Sequence, residues 1–108
     1  MKTDRELLEL AAKAAGHVIN QRRQASRDAM CDPEKSSLWI DRVSTGWNPI
    51  LDDGQAMRLA VRLNLFEHDR DTDITLFGAH FDTTDTDPYA ATRRAIVLAS
   101  AAIGEAMP

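Results

Sequence analysis

Apolar residues recur at helical spacing in three stretches of the chain and crowd into short β-branched or aromatic runs between them. The first stretch holds Leu7, Leu8, Leu10, Ala11, Ala14 and Ala15, a broad apolar face made of strong helix formers. Thr3-Asp4-Arg5-Glu6 before it has the form of a capping box, in which the Thr3 hydroxyl accepts from the Glu6 amide and the Glu6 carboxylate reaches back to the Thr3 amide. Gly16 behind it supplies a left-handed stop, so the pattern predicts a helix over residues 4–15. In the second stretch Ala56, Met57, Leu59, Ala60, Val61 and Leu63 follow Asp52, an N-cap with Gln55 three residues later to complete the box. A helix is expected over 53–63. Asp87 caps a third, with Pro88 at its first position, where the missing amide hydrogen costs nothing. There Thr92, Ile96, Ala99 and Ile103 make one stripe and Ala91, Ala95, Leu98 and Ala102 its small-residue neighbour, which predicts close packing on a sheet.

The intervening runs read as strands. His17-Val18-Ile19 is a short extended segment, and the polar residues 20–28 that follow have no apolar period but gather Arg22, Arg23 and Arg27. Asp32-Pro33-Glu34-Lys35-Ser36-Ser37 is a turn, because proline fixes its own backbone angle and biases its predecessor away from helix. Leu38-Trp39-Ile40-Asp41-Arg42-Val43 has the composition of a strand, paired with residues 17–23. Leu65-Phe66-Glu67-His68 and Ile74 to Phe81 flank the charged loop 69–73 as a hairpin. The expected architecture is a single α+β domain over residues 1–108, of the order α-β-β-α-β-β-α, with about four mainly antiparallel strands packed against three helices.

Composition narrows the function classes. With 108 residues, 44% hydrophobic and 28% charged, the chain has enough material for one core and too little for two. A formal charge of −4 gives no general attraction to nucleic acid or to an anionic membrane, although it leaves room for a local basic patch. Cys31 is the only cysteine, so no internal disulfide or multi-cysteine zinc site can form, and a reducing compartment fits. No apolar run approaches the roughly 20 residues of a membrane helix, and the N-terminus lacks a signal peptide's cationic start and apolar centre. The expectation is a protein of the cytosol with no membrane partner.

Two blocks carry a family likeness. Trp47-Asn48-Pro49 followed by Asp52-Asp53-Gly54-Gln55-Ala56-Met57-Arg58-Leu59-Ala60-Val61, and Asp87-Pro88 followed by Ala91-Thr92-Arg93-Arg94-Ala95-Ile96, resemble small phage and prophage proteins of unknown function, the NinX-like and phage α-β-α sandwich domain groups. The opening helix Asp4-Arg5-Glu6-Leu7-Leu8 fits the same pattern. The resemblance implies an accessory gene product of a temperate phage, working in the host cytosol, and brings no catalytic residues with it.

Candidate chemistry is sparse. His68, Asp69, Asp71 and Asp73 on one side and His80, Asp82, Asp85 and Asp87 on the other suggest a metal. Yet a hairpin closing around 70–73 sets Asp69 by Ile74, His68 by Thr75 and His80 opposite Leu63, about five rungs and roughly 16 Å away at ~3.3 Å per residue. A shared zinc is excluded, and the aspartates lack the glycine and bidentate glutamate of an EF-hand. Cys31 has no histidine near it in sequence, His17 reads as a partly exposed strand residue, and there is no nucleophile elbow or phosphate-cradling glycine loop. The reading is therefore a non-enzyme without cofactor or metal, which docks on a host or phage protein, inhibition of a host defence being one form of such docking. Its contact residues are the carboxylates Glu67, Asp69, Asp71, Asp73, Asp82 and Asp85, with Trp39. Trp39 alternates with Leu38 and Ile40, and so is a contact aromatic if helices cover one sheet face and core if they cover both. The alternative is a nucleic-acid-binding accessory protein using Arg22, Arg23, Arg27, Arg93 and Arg94, against which stands the reading of Arg22, Arg23 and Arg27 as a solvated edge guarding a strand. Alanine-rich stripes and an open sheet edge make a homodimer a further expectation.

Overall fold

The computed structural model describes residues 2–35, 37–41, 46–68, 74–76 and 87–108, with only the backbone described at 67, 68 and 74–76. Among these residues the chain is helical. Its elements are α1 (Asp4–Ala15), α2 (Gln21–Met30), α3 (Asp53–Arg62), β1 (Phe66–His68), β2 (Ile74–Leu76) and α4 (Pro88–Ala106). The α+β arrangement with about four strands and three helices is thereby overturned: β1 and β2 form a two-stranded antiparallel ladder, and no larger sheet occurs among the described residues.

The helix punctuation behaves as its chemistry requires. Thr3 and Glu6 exchange both capping-box contacts and Gly16 ends α1 at φ 76°. Asp52 accepts from the Gln55 amide at 2.8 Å, while the Gln55 side chain departs from the expected box. It donates to the Gly46 carbonyl at 3.1 Å and accepts from the Asn48 amide at 2.6 Å, which clamps the Gly46-Trp47-Asn48 segment onto the start of α3. Asp87 caps α4 with Pro88 at its first position.

The strand expectations fail for identifiable reasons. Residues 21–30, partly assigned to a strand facing 38–43, form α2, whose glutamines, arginines, alanines and methionine are good or acceptable helix formers. Among the described residues, 38–41 contribute two isolated antiparallel bridges, Ile19↔Ile40 and Leu38↔Trp47; their apolar side chains Leu38 and Ile40 plug the helical core instead of extending a ladder, and 42 and 43 lie outside the described residues. The hairpin exists, with Phe66↔Leu76, Glu67↔Thr75 and His68↔Ile74 in register. That is one residue off the expected pairing, a slip that exchanges the sheet face of every partner.

The core is a helical layer. Leu7, Leu8, Ala11, Ala12 and Ala15 of α1, Ala56, Leu59 and Ala60 of α3 and Ile96, Val97 and Ala101 of α4 close around Leu38, Ile40, Trp47 and Leu65. The inner face of α4 runs through Val97, Ser100, Ala101 and Gly104, whereas Leu98 and Ile103 are exposed. Both expected stripes are thus split, Ile96 and Ala95 being buried and Ala99 partly so while Thr92, Leu98 and Ile103 are exposed, and α4 packs on α1 rather than on a sheet. Small residues make that possible. A Cβ at Gly104 would stand 2.0 Å from the Leu10 carbonyl oxygen and 2.8 Å from its carbon, so the two backbones touch where only glycine fits. Lys13 Nζ donating to the Met107 carbonyl at 3.0 Å and Arg94 meeting Asp4 at 3.0 Å tie the same two helices.

No described helix is long and apolar enough to cross a membrane.

Candidate functional site

α2 is a helix almost without an apolar face; Gln24 is its one buried residue. Asn20 starts it, its side chain accepting from the Arg23 amide at 3.1 Å, and no acidic residue occupies the first turn. Arg22 and Arg23 therefore stand at the positive end of the helix dipole, an arrangement that costs roughly 0.3–1 kcal/mol per charge where a carboxylate would gain it. A ten-residue helix is marginal alone, so tertiary contacts must hold it.

Those contacts are polar. Gln24 Oε1 accepts from the Trp39 amide at 2.6 Å, and its Nε2 donates to Asp28 at 3.1 Å and to the Ser37 carbonyl at 3.5 Å. The Trp39 carbonyl accepts from the Asn20 amide at 2.8 Å. From α1, Arg5 forks onto both Asp28 oxygens at 3.0 and 2.9 Å, and also donates to Glu9 at 2.8 Å and to the Pro33 carbonyl at 2.9 Å. The forked hydrogen bonds from Arg5, first of all, hold the Asp28 carboxyl below its ordinary value against the opposing effect of burial; the Gln24 bond and the charges of Arg5 and Arg27 assist. A carboxyl lowered in the folded state contributes stability that is complete above its unfolded value of 3.8 and disappears as pH falls through the folded value. Asp28→Asn should accordingly lower the melting temperature near neutral pH and flatten the stability profile below about pH 4. Thermal melts across that range check this, and a variant as acid-sensitive as the parent would contradict it.

With its backbone fixed on both sides, Trp39 presents its ring away from the buried Leu38 and Ile40, as their alternation predicts. The ring is half-buried under α2: the Arg23 guanidinium carbon lies 5.2 Å from its centroid and that of Arg27 5.5 Å. Trp39 is therefore neither bare contact surface nor core. It is a cation–π platform for two arginines one helical turn apart. Arg27 Nε is sealed from solvent without an acceptor among the described residues, and Gly46 leaves room beside it, since a Cβ there would stand 2.7 Å from Ser37 Cβ and 3.4 Å from an Arg27 terminal nitrogen. No ion pair among the described residues holds Arg22, Arg23 or Arg27.

Arg93 and Arg94 are differently employed. Arg93 donates to Asp53 at 2.7 Å and to the Ile50 carbonyl at 2.8 Å, fastening α4 to the start of α3, and Arg94 pairs with Asp4. Arg93 also closes one end of a half-open cleft of about 370 Å³ lined by Ala56, Met57, Tyr89 and Ile96, whose charged pair Asp53 and Arg93 neutralise each other. Cys31 is exposed at the end of α2. His17 packs edge-on against Trp47 at 5.3 Å, and burial, aided by Arg62, lowers its pKa. No three described His, Cys, Asp or Glu side chains are placed to share a metal ion. Of the expected acidic face, Glu67 lies in β1 with its side chain outside the described residues, and Asp69, Asp71, Asp73, Asp82 and Asp85 lie outside them altogether, as do His80 and the pairing expected for it.

Sequence reasoning found the arginine cluster and the orientation of Trp39 but missed Gln24, Asp28 and Arg5. The available signal was Asn20 as an N-cap before a run of helix formers, with Gln24 and Asp28 one turn apart. No family model matches the chain, and searches of curated proteins and of solved structures return no match.

Proposed function

We propose that this chain is a non-catalytic accessory protein of phage type that acts in the host cytosol by docking, through α2 and Trp39, on a host or phage macromolecule. The observation that carries the reading is the guanidinium-covered indole. Folding gains little apolar burial from α2, which buries one glutamine, and tolerates two arginines at the wrong end of a helix dipole together with a sealed guanidinium nitrogen that has no acceptor among the described residues. A surface of this cost, whose arginines Arg22, Arg23 and Arg27 make no ion pair among the described residues, is arranged for something outside the chain. The block likeness to phage proteins supports the origin, and blunting a host defence is one outcome of docking of this kind. The acidic residues around 67–85 supply a second charged region to the same reading from sequence alone.

Cys31 gives a direct test, because it is the only cysteine and is exposed at the end of α2. With a photoreactive benzophenone attached there, irradiation in extract of producing cells should yield one discrete adduct. Trp39→Leu, which keeps the backbone contacts to Gln24 and Asn20, should reduce that adduct several-fold. An adduct pattern indifferent to Trp39, or none, would remove α2 as the docking face.

A further inference from the structure

We infer that the macromolecule engaged by α2 is single-stranded nucleic acid, gripped by its phosphates at Arg22, Arg23 and Arg27 with a base laid beside Trp39; this rests on the docking reading above. The argument starts from how the arginines are held. A guanidinium held over an indole by the cation–π attraction still has N–H groups to offer an acceptor. At 5.2 and 5.5 Å from the Trp39 centroid, Arg23 and Arg27 are both oriented by the ring, so little side-chain freedom remains to be lost on contact. With Nε sealed, Arg27 would meet a phosphate through its terminal nitrogens. Four residues separate the two arginines, about 6 Å along a helix axis, a spacing that lets neighbouring phosphates of one strand each take a fork. Arg22 and the positive end of the α2 dipole extend the same field beyond Arg23.

The rest of the molecule selects a flexible strand over a duplex. The chain carries a formal charge of −4, so a long rigid polyanion laid on α2 would be repelled by the surface elsewhere, whereas a short single strand can follow the arginines alone. The part of Trp39 that stays exposed beside α2 also offers an apolar contact to a base, one usable only by bases free of a partner strand. An acidic protein partner would find the same charges but would have no use for that surface.

The measurement is anisotropy of a labelled mixed-sequence single-stranded oligonucleotide titrated with the full chain at several salt concentrations. Three phosphate contacts on a single strand give a slope of log K against log salt of about −2, so affinity should fall roughly eighteenfold between about 50 and 200 mM salt. Arg23→Gln with Arg27→Gln should leave one contact and a loss of only about threefold over the same range. Trp39→Leu should weaken binding at least about fivefold at fixed salt. Lys13→Gln with Arg58→Gln removes the same charge away from α2 and should change the slope little.

Absence of binding at the low salt end overturns the inference, as does binding whose slope survives the Arg23/Arg27 substitutions. Tighter binding to the duplex of the same sequence overturns the single-strand assignment, and displacement of the oligonucleotide by polyglutamate at equal charge overturns nucleic acid as the class. In either of those cases a Trp39-dependent Cys31 adduct to protein would leave the docking reading intact. An adduct indifferent to Trp39 would remove both.

Discussion

Gly104→Val should leave the protein largely unfolded at room temperature, and Gly104→Ala should lower its stability by about 3 kcal/mol. The new Cβ would meet the Leu10 carbonyl oxygen at 2.0 Å and its carbon at 2.8 Å. These are backbone atoms of α1, which no rotamer change can move aside. Relief requires α1 and α4 to separate, loosening Leu7, Leu8, Ala11, Val97 and Ala101 from the core they share. Alanine gains about 1 kcal/mol over glycine in helix propensity, but overpacking against a rigid neighbour costs more. A domain of this size has roughly 5–15 kcal/mol in total, so the valine variant has little left. Urea denaturation should show the alanine variant's midpoint reduced by about 1–2 M. A midpoint equal to or above the parent's would mean that the helices do not meet at this residue.

The second large effect belongs to Gln24. Gln24→Leu, similar in bulk, strips the Trp39 amide of its acceptor at 2.6 Å and removes the donor to Asp28 and to the Ser37 carbonyl. A buried group left without a partner costs about 1–3 kcal/mol, and because Gln24 is the only buried residue of α2, the loss should fall on that helix. Amide hydrogen exchange is the discriminating readout. Protection over 21–30 and at Trp39 should drop by roughly thirtyfold, the equivalent of about 2 kcal/mol, while α1 and α4 keep theirs. Uniform loss across all helices would show α2 to be integral to the core, and no loss would show that the glutamine is not its anchor.

These two residues also mark how far the sequence reads. Helix starts and stops were legible because capping is local chemistry: Thr3 with Glu6, Gly16, Asp52, and Asp87 with Pro88 each act within a few positions of themselves. α2 was not legible from apolar periodicity, because the residues that hold it, Gln24, Asp28 and Arg5, are polar and their partners lie on other segments. The β-branched and aromatic content of 38–43 pointed to a strand, but Leu38 and Ile40 use it to fill space between helices, and a propensity for pleated surfaces describes that packing equally well. In α4, alanines on every side blurred the periodicity, and the decisive inner position was a glycine whose value lies in being absent. At the candidate site, the cluster of arginines and the outward direction of Trp39 were visible in the chain. Their union was not, since it needs α2 to be a helix, which brings Arg23 and Arg27 to one side.

The contact between Leu10 and Gly104 joins segments made at different times. Lys13 and Met107, bonded alongside it, are 94 positions apart, so at about 5–20 residues per second α1 waits roughly 5–20 seconds for its partner to be translated. Throughout that interval Leu7, Leu8 and Ala11 have no α4 to cover them. A nascent chain of this protein therefore passes through a stage in which α1 is greasy and unsheltered, and the yield of folded product should depend on how quickly α4 is translated and on which chaperones stand at the ribosome's exit.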